Sequence, residues 1–126
     1  MIANATIKFT QSNSIAAASN GQIIAVGAGQ QSRVDAVRIV AEKTRVFLNR
    51  HTQSALDYFA TEATGSRQEK IVASTTVAKG YEGVQFSSDD LALSMASDGF
   101  FPFGDGIDEA AAIPGLKFIS QPGGSV

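Results

Sequence analysis

The sequence predicts an α/β fold with a mixed sheet and flanking helices, because strand-like and helix-like segments alternate along it. An Asn-Gly pair between two apolar runs predicts a β-hairpin near the start. A long segment with apolar residues at helical spacing and a capping signal predicts a helix directly after it. With 126 residues and 13.1 kDa, the chain is expected to form a single domain over residues 1–126.

The first predicted element is the hairpin. Apolar runs at residues 14–18 and 22–26 flank Asn20 and Gly21, the residue types that supply the two positive-φ positions of a tight turn. The continuous apolar run over residues 23–26 predicts a strand covered on both faces.

A helix is predicted over residues 33–49. Ser32 is a candidate N-cap, and Asp35 follows three residues later as the acidic partner of a capping box. The glycine-rich connection at residues 27–31 leaves two interpretations open. It is either an anion cradle in which Arg33 grips a phosphate or carboxylate, or a tight turn that ends in a capped helix.

The middle of the chain is less informative. A second helix is predicted over residues 53–63, residues 68–78 are ambiguous, and residues 80–88 are predicted to form a loop.

The last third has a strand–helix–strand pattern. It predicts a strand over residues 91–96, a short helix over residues 107–112 that Asp105 caps, and a final strand over residues 116–120.

Composition excludes several classes of function. Ten Lys and Arg against twelve Asp and Glu leave a net charge of −2, which argues against a nucleic-acid-binding surface. The absence of cysteine excludes disulfides and thiolate zinc sites, and a single histidine excludes a metal site with two imidazoles. That histidine, His51, is interpreted as a cap at a helix end rather than a catalytic base.

The chain is also expected to be soluble and cytoplasmic, with no membrane contact. No apolar run approaches the roughly 18 residues of a membrane span, and the start lacks the basic flank and apolar stretch of a signal peptide.

Two segments have the residue types that bind or transform a ligand. Asn13, in the polar cluster at residues 10–14, could orient a substrate amide or stabilise a developing charge, or it could bond neighbouring backbone. The Phe-Phe-Pro-Phe segment at residues 100–103, between Asp98 and Asp105, could wall a flat pocket for an aromatic ligand or form a buried corner.

Together these segments resemble the AICAR transformylase domain of the bifunctional purine biosynthesis proteins (AICAR transformylase/IMP cyclohydrolase). The similarity rests on motifs in the same order, which are F-T-Q-S-N-S at 9–14, G-Q at 21–22, G-A-G-Q-Q-S-R at 27–33, S-D-G-F-F-P-F-G-D at 97–105 and Q-P-G-G-S at 121–125.

The resemblance implies transfer of a formyl group from formyltetrahydrofolate to the amine of AICAR (phosphoribosylaminoimidazolecarboxamide) in IMP biosynthesis. It implies a cytidine-deaminase-like, three-layer fold without zinc, and a homodimer or a complementing half as partner. Asn13 falls on the catalytic asparagine of the family, and Arg33 on an arginine that holds AICAR. The other implied roles are substrate binding by Gly99, Phe100 and Pro102, a carboxylate near the folate at Asp105, and a potassium site at Ser12, Ser14 and Asp98.

The sequence departs from the family pattern at several points. The Lys-His pair, in which His handles the proton, belongs upstream of the first motif, and His51 is not that residue because Arg50 precedes it. The later Arg-Asp and Arg-His motifs and the cyclohydrolase domain are also missing from these residues. Gly99 stands where many members have Ala, and Gly104 where Arg is frequent.

The expectation is therefore the C-terminal portion of a transformylase domain that is incomplete without the half carrying the Lys-His pair. The alternative is a non-catalytic module that binds a nucleotide or folate, or that self-associates.

Overall fold

The computed structural model describes residues 1–80 and 91–124. Contacts divide these residues into one unit made of residues 1–44 and 91–124 and a second made of residues 45–80. The single domain expected over residues 1–126 stays a prediction. The helices are α1 (Ile2–Ile7), α2 (Arg33–Asn49), α3 (Gln53–Asp57), α4 (Arg67–Gly80) and α5 (Gly104–Ala111).

The first unit contains a four-stranded mixed sheet. Its strands are β1 (Ile15–Ser19), β2 (Gln22–Gly27), β3 (Leu93–Ser97) and β4 (Leu116–Ser120), in the order β2-β1-β3-β4. β1 is antiparallel to β2 and to β3, whereas β3 and β4 are parallel. The predicted α/β class and mixed sheet are confirmed.

The hairpin forms as predicted, with φ of 49° at Asn20 and 77° at Gly21. The two strands of the hairpin differ in how deeply they are buried. All five residues of β1 are buried, because β1 is central in the sheet. β2 is an edge strand, and within residues 23–26 only Ala25 is fully buried. Ile24 packs against the core on one face of the sheet and Ile23 and Val26 against the core on the other, so the run is covered on both faces as predicted, but less completely than β1.

Helices pack on both faces of the sheet. α1, which the sequence did not predict, packs on one face through Ala3 and Ile7 with Ala16, Ala18 and Ala96. α2 and α5 pack on the other face, where the buried residues are Ile15, Ala17, Ala25, Ala36, Val37, Val40, Leu93, Met95, Ala110 and Ile113. The predicted flanking helices are confirmed.

The start of α2 agrees with the sequence. The Asp35 amide donates to Ser32 Oγ at 3.1 Å, and the Ser32 hydroxyl donates to Asp35 Oδ2 at 2.6 Å. Two other predicted starts are wrong. β3 begins at Leu93 rather than at residue 91, and α5 begins at Gly104, so Asp105 lies inside its first turn rather than at the N-cap.

The second unit is largely helical. α3 and a π-helical turn (Tyr58–Glu62) together cover the predicted helix over 53–63. α4 resolves the ambiguous residues 68–78 as helix. Its start carries a capping box that the sequence analysis missed, since the Ser66 amide donates to Glu69 Oε2 at 2.7 Å and the Glu69 amide to Ser66 Oγ at 3.3 Å.

Two further predictions concern this part of the chain. His51 Nδ1 lies 2.7 Å from the Phe47 carbonyl in the last turn of α2, which confirms the predicted cap. The predicted loop over 80–88 is wrong at residue 80, which ends α4, and its other residues lie outside the described ones. Of the helices in the described ranges, none combines the length and apolar character that a bilayer crossing requires.

Removing the cap of α2 tests how much the helix start contributes. Ser32→Ala is expected to lower the free energy of unfolding by about 1 kcal/mol, because the Asp35 amide loses its acceptor. Ser54→Ala, at an exposed position within α3, is the control and should change little. Chemical denaturation measures both variants, and equal stability of Ser32→Ala and the parent would contradict the assigned cap.

Candidate functional site

Strand pairing brings three distant segments of the first unit together. Ile15, the first residue of β1, pairs with Gly27 at the end of β2 and with Ser97 at the end of β3. The residues before β1, after β2 and after β3 must therefore meet at one edge of the sheet. This edge holds the carboxyl ends of β2 and β3, and ligands of open α/β sheets usually bind beyond the carboxyl ends of strands.

A cavity of about 710 Å³ lies where these segments meet. Its volume is in the range of pockets that hold small molecules. It is lined by the predicted site residues Asn13, Arg33, Gly99, Phe100, Pro102 and Asp105, by Phe103 of the predicted aromatic segment, and by residues that the sequence did not assign to a site, among them Asp35 and Arg38.

The guanidinium of Arg33 connects two of the three segments to the start of α2. Nη1 donates to Ser97 Oγ at 2.9 Å and to Asp98 Oδ1 at 2.5 Å, and Nη2 donates to Asn13 Oδ1 at 2.9 Å. Only 13% of the Arg33 side chain and 16% of the Asp98 side chain are exposed. The ion pair is therefore shielded from water. Shielding lowers the effective dielectric constant around the two charges, so they attract each other more strongly than an ion pair on an open surface does.

Both ends of the Asn13 carboxamide have partners. Its oxygen accepts from Arg33, and its Nδ2 donates to the carbonyls of Gln30 at 3.1 Å and Gln31 at 3.4 Å. These bonds fix which end of the amide faces the start of α2. Asn13 is therefore a rigidly oriented group on the wall of the cavity.

The residues predicted to bind potassium also lie together. The Ser14 amide donates to Asp98 Oδ1 at 3.0 Å, and the Asp98 amide donates to the Ser14 carbonyl at 3.1 Å. Burial alone would raise the pKa of the Asp98 carboxyl. Three neighbours outweigh this effect by stabilising the charged carboxylate. Ser12 and the Ser14 amide donate hydrogen bonds to it, and Arg33 contributes both a hydrogen bond and a positive charge, so the pKa of Asp98 lies below its ordinary value of 3.8.

The glycine-rich loop before α2 is mainly a structural turn. The Gly29 amide donates to the Gln11 carbonyl at 2.8 Å, and the amide of Gln30 and the carbonyl of Asn13 are 3.2 Å apart. Gly29 has φ of 67°, a conformation that favours glycine. Because these two amides are bonded to the chain itself, the structure favours the capped turn over the anion cradle.

The aromatic segment is a wall rather than a buried corner. Phe100 is 39% exposed and Phe103 is 73% exposed, and both line the cavity. The Phe101 amide donates to Gln121 Oε1 at 2.9 Å, so the residue that follows β4 is bonded to this segment. Of the two interpretations, the structure favours the walled pocket.

Sequence analysis missed two residues that hold the site in place, Ser97 and Gln121. Ser97 is 2% exposed, accepts from Arg33 and donates to the Gly99 carbonyl at 2.6 Å. The sequence did carry one signal for Ser97, because this residue directly follows the strand predicted over 91–96 and ligands often bind beyond the carboxyl ends of strands. No three His, Cys, Asp or Glu side chains form a metal-binding group within residues 1–80 and 91–124.

Asp98→Asn tests the ion pair at nearly constant volume. The free energy of unfolding near pH 7 should fall by about 1.5–3 kcal/mol, because a charged acceptor of the Arg33 guanidinium is lost. The pKa of Asp98 is lower in the folded protein than in the unfolded chain. The parent should therefore have its full extra free energy of unfolding over Asp98→Asn at pH values above the ordinary carboxyl pKa. This difference should disappear as the pH falls through the lowered pKa of Asp98 in the folded protein.

Chemical denaturation over a series of pH values measures this difference. Glu109→Gln, in the exposed pair with Arg38, is the control and should have a small effect. A difference between the parent and Asp98→Asn that stays constant into strong acid would rule out the assigned ion pair.

Comparison with known proteins places these residues in a family. The family model described as the AICARFT/IMPCHase bienzyme matches residues 1–43. The bifunctional purine biosynthesis protein PurH of Magnetococcus marinus is 38% identical over 120 residues, which are 95% of this chain. The chain spans 16% of the length of that relative. It belongs to the AICARFT/IMPCHase family of bifunctional purine biosynthesis enzymes, and corresponds to a part of such a protein.

Proposed function

We propose that this chain forms the acceptor pocket of an AICAR transformylase, in the C-terminal portion of a domain with a cytidine-deaminase-like fold. The reaction would transfer the formyl group of formyltetrahydrofolate to the amine of AICAR in IMP biosynthesis. The observation that carries the proposal is the single cavity that Asn13, Arg33 and Phe100 line together.

The chemistry of AICAR explains why such a pocket would help. The lone pair of its amine is delocalised into the imidazole ring and the carboxamide, so the amine is a poor nucleophile. Holding the amine close to the formyl carbon then supplies much of the rate, since orientation replaces a bimolecular encounter. The flat wall of Phe100 and Pro102 suits the imidazole ring, and an oriented amide such as Asn13 suits the carboxamide or the reacting amine.

Charged side chains of both signs line the cavity, and both arginines among them are paired with carboxylates. Arg33 and Arg38 both line it, and Arg38 pairs with Glu109 at 2.7 Å on the exposed side. Asp105 lies in the first turn of α5, with Oδ1 accepting from the Gly106 amide at 2.7 Å, and is proposed to meet the folate.

Proton transfer is the step that these residues do not supply. A carboxamide such as Asn13 does not accept a proton near neutral pH, and no Lys-His pair occurs in the 126 residues. His51 is bonded to the Phe47 carbonyl at the end of α2. We therefore expect no turnover by this chain alone, and turnover when a polypeptide carrying the Lys-His pair is added.

Such a partner, or a second copy, would have an exposed surface to cover. β4 is an edge strand of the sheet, and its residues Phe118 and Ile119 are 66% and 37% exposed. Strands in parallel pairs are usually covered on both faces. This exposure supports the proposed dimer or complementing half, and equally the alternative of a non-catalytic, self-associating module.

Potassium binding at Ser12, Ser14 and Asp98 is a further proposal. Hydroxyl, carbonyl and carboxylate oxygens are suitable ligands for an alkali cation. The Asp98 carboxylate already lies 2.5 Å from Arg33 Nη1, so a bound potassium ion and the guanidinium would both interact with the negative charge of Asp98. When bound, it would supply positive charge that holds the loop before β1.

The proposed acceptor pocket predicts that AICAR binds to the purified chain in a calorimetric titration. Phe100→Ala should weaken this binding about tenfold, because a base stacked on an aromatic ring gains roughly 1–3 kcal/mol. Phe118→Ala removes an exposed phenylalanine of β4 and is the matched control.

The outcomes separate the candidate functions. Failure of AICAR to bind, or equal affinity in both phenylalanine variants, would contradict the pocket. Binding without turnover, even with an added Lys-His polypeptide and formyltetrahydrofolate, would favour the non-catalytic binding module.

A further inference from the structure

The helical second unit has a cavity of its own, with a volume of about 190 Å³. Its walls come from the residues that follow α2, from α3 with the π-helical turn, and from α4. Among the residues that line it are Arg50, His51, Leu56, Phe59, Ile71 and Ser74. None of them lines the proposed acceptor pocket, so the two cavities are separate sites.

Ser74 brings an unsatisfied hydroxyl to this cavity. The residue lies in α4 and is 7% exposed, and its Oγ has no hydrogen-bond partner among the described residues. The next two residues of the helix, Thr75 and Thr76, instead donate to the carbonyls four positions earlier. A buried hydroxyl without a partner is unfavourable, and buried polar groups normally bond to the protein or to a bound molecule. The Ser74 hydroxyl is therefore available to a ligand in the cavity.

Arg50 supplies a positive charge to the same cavity. Its side chain is exposed, and its guanidinium forms no hydrogen bond or ion pair with residues 1–80 and 91–124. His51 Nδ1 is bonded to the Phe47 carbonyl, which leaves Nε2 for other contacts. No aspartate or glutamate occurs among the described residues that line the cavity. A guanidinium with free donors suits a carboxylate, because two of its N–H groups match the two carboxylate oxygens.

Much of the remaining wall is apolar. Leu56, Phe59 and Ile71 line the cavity and stay partly exposed, although large apolar side chains gain free energy when they are covered. The volume is about six times the roughly 30 Å³ that one water molecule occupies in the liquid. The cavity therefore suits a ligand of about six to eight non-hydrogen atoms that has an apolar body and one anionic end.

We propose that this cavity binds a small organic carboxylate whose apolar body has about four or five carbon atoms. The carboxylate accepts from the Arg50 guanidinium and from the Ser74 hydroxyl, and the carbon chain covers Leu56, Phe59 and Ile71. All of these residues lie in the second unit. The inference therefore goes beyond the proposed function and does not depend on it.

Sodium pentanoate has the size and charge of such a ligand and serves as the probe for the full chain. His51 is the single histidine and lines the cavity, so its ring protons give NMR signals that are recognised directly. We expect saturable shifts of these signals at constant ionic strength, with a Kd of about 1 mM. Acetate lacks most of the apolar body and pentan-1-ol lacks the charge, so each should bind about tenfold more weakly or worse.

The response of His51 decides whether the cavity takes such a ligand. His51 signals that stay in place at pentanoate concentrations far above this Kd would show that the cavity holds water only, and would overturn the proposal. Equal affinity for pentanoate, acetate and pentan-1-ol would also overturn it, because neither the apolar wall nor the charge would then select the ligand.

A pair of arginine variants tests the charged contact. Arg50→Gln should weaken pentanoate binding about tenfold, because the carboxylate loses its charged donor. Arg67→Gln removes the same charge from an exposed position of α4 that does not line the cavity, and should bind as the parent does. Equal affinity of these two variants would contradict the role of Arg50.

Ser74→Ala separates binding from folding. Removing an unpaired buried hydroxyl should leave the Tm of the ligand-free chain unchanged or raise it, whereas pentanoate binding should weaken about three- to tenfold. Ser54→Ala, at an exposed position within α3, is the control for both measurements. A lower Tm with unchanged affinity in Ser74→Ala would show that the hydroxyl is bonded within the protein, and would overturn its assigned contact with the ligand.

Discussion

The site depends on one shielded ion pair between Arg33 and Asp98. Its guanidinium joins the first turn of α2 to the residue after β3, and the same group reaches Asn13 before β1. Other hydrogen bonds join the segments in pairs, between Ser14 and Asp98 and between Asn13 and Gln30, and the guanidinium ties Asn13 and Asp98 to α2 as well. A partly buried charge without its partner is costly, so each residue of the network constrains the others.

Local signals in the sequence predicted the parts of the fold that local interactions determine. The Asn20-Gly21 turn and the Ser32 cap each satisfy backbone needs within a few residues, and both formed where expected. The same kind of signal was present at Ser66 and was overlooked. The six-residue helix α1 has no comparable capping bond and is held by apolar contacts with β1 and β3, so its formation depends on the folded sheet.

The members of the site could be named from motifs, but their contacts could not. Asn13, Arg33 and Phe100 were candidates from the residues and from the family resemblance, and they line one cavity. The bonds of Arg33 depend on the register of β1 with its two neighbours, which places residues 64 and 65 positions away within reach. The motifs alone therefore suggested that Arg33 is free to hold a substrate. In the folded chain, the pairing of β1 with β2 and β3 brings Asn13, Ser97 and Asp98 within hydrogen-bonding distance of its guanidinium.

A crystal structure of this chain grown with AICAR would test the account most directly. The account predicts the imidazole ring against Phe100, with its carboxamide or amine within hydrogen-bonding distance of Asn13 and the Arg33–Asp98 pair intact. AICAR bound elsewhere, or bound only where Arg33 has left Asp98 to reach the phosphate, would contradict it.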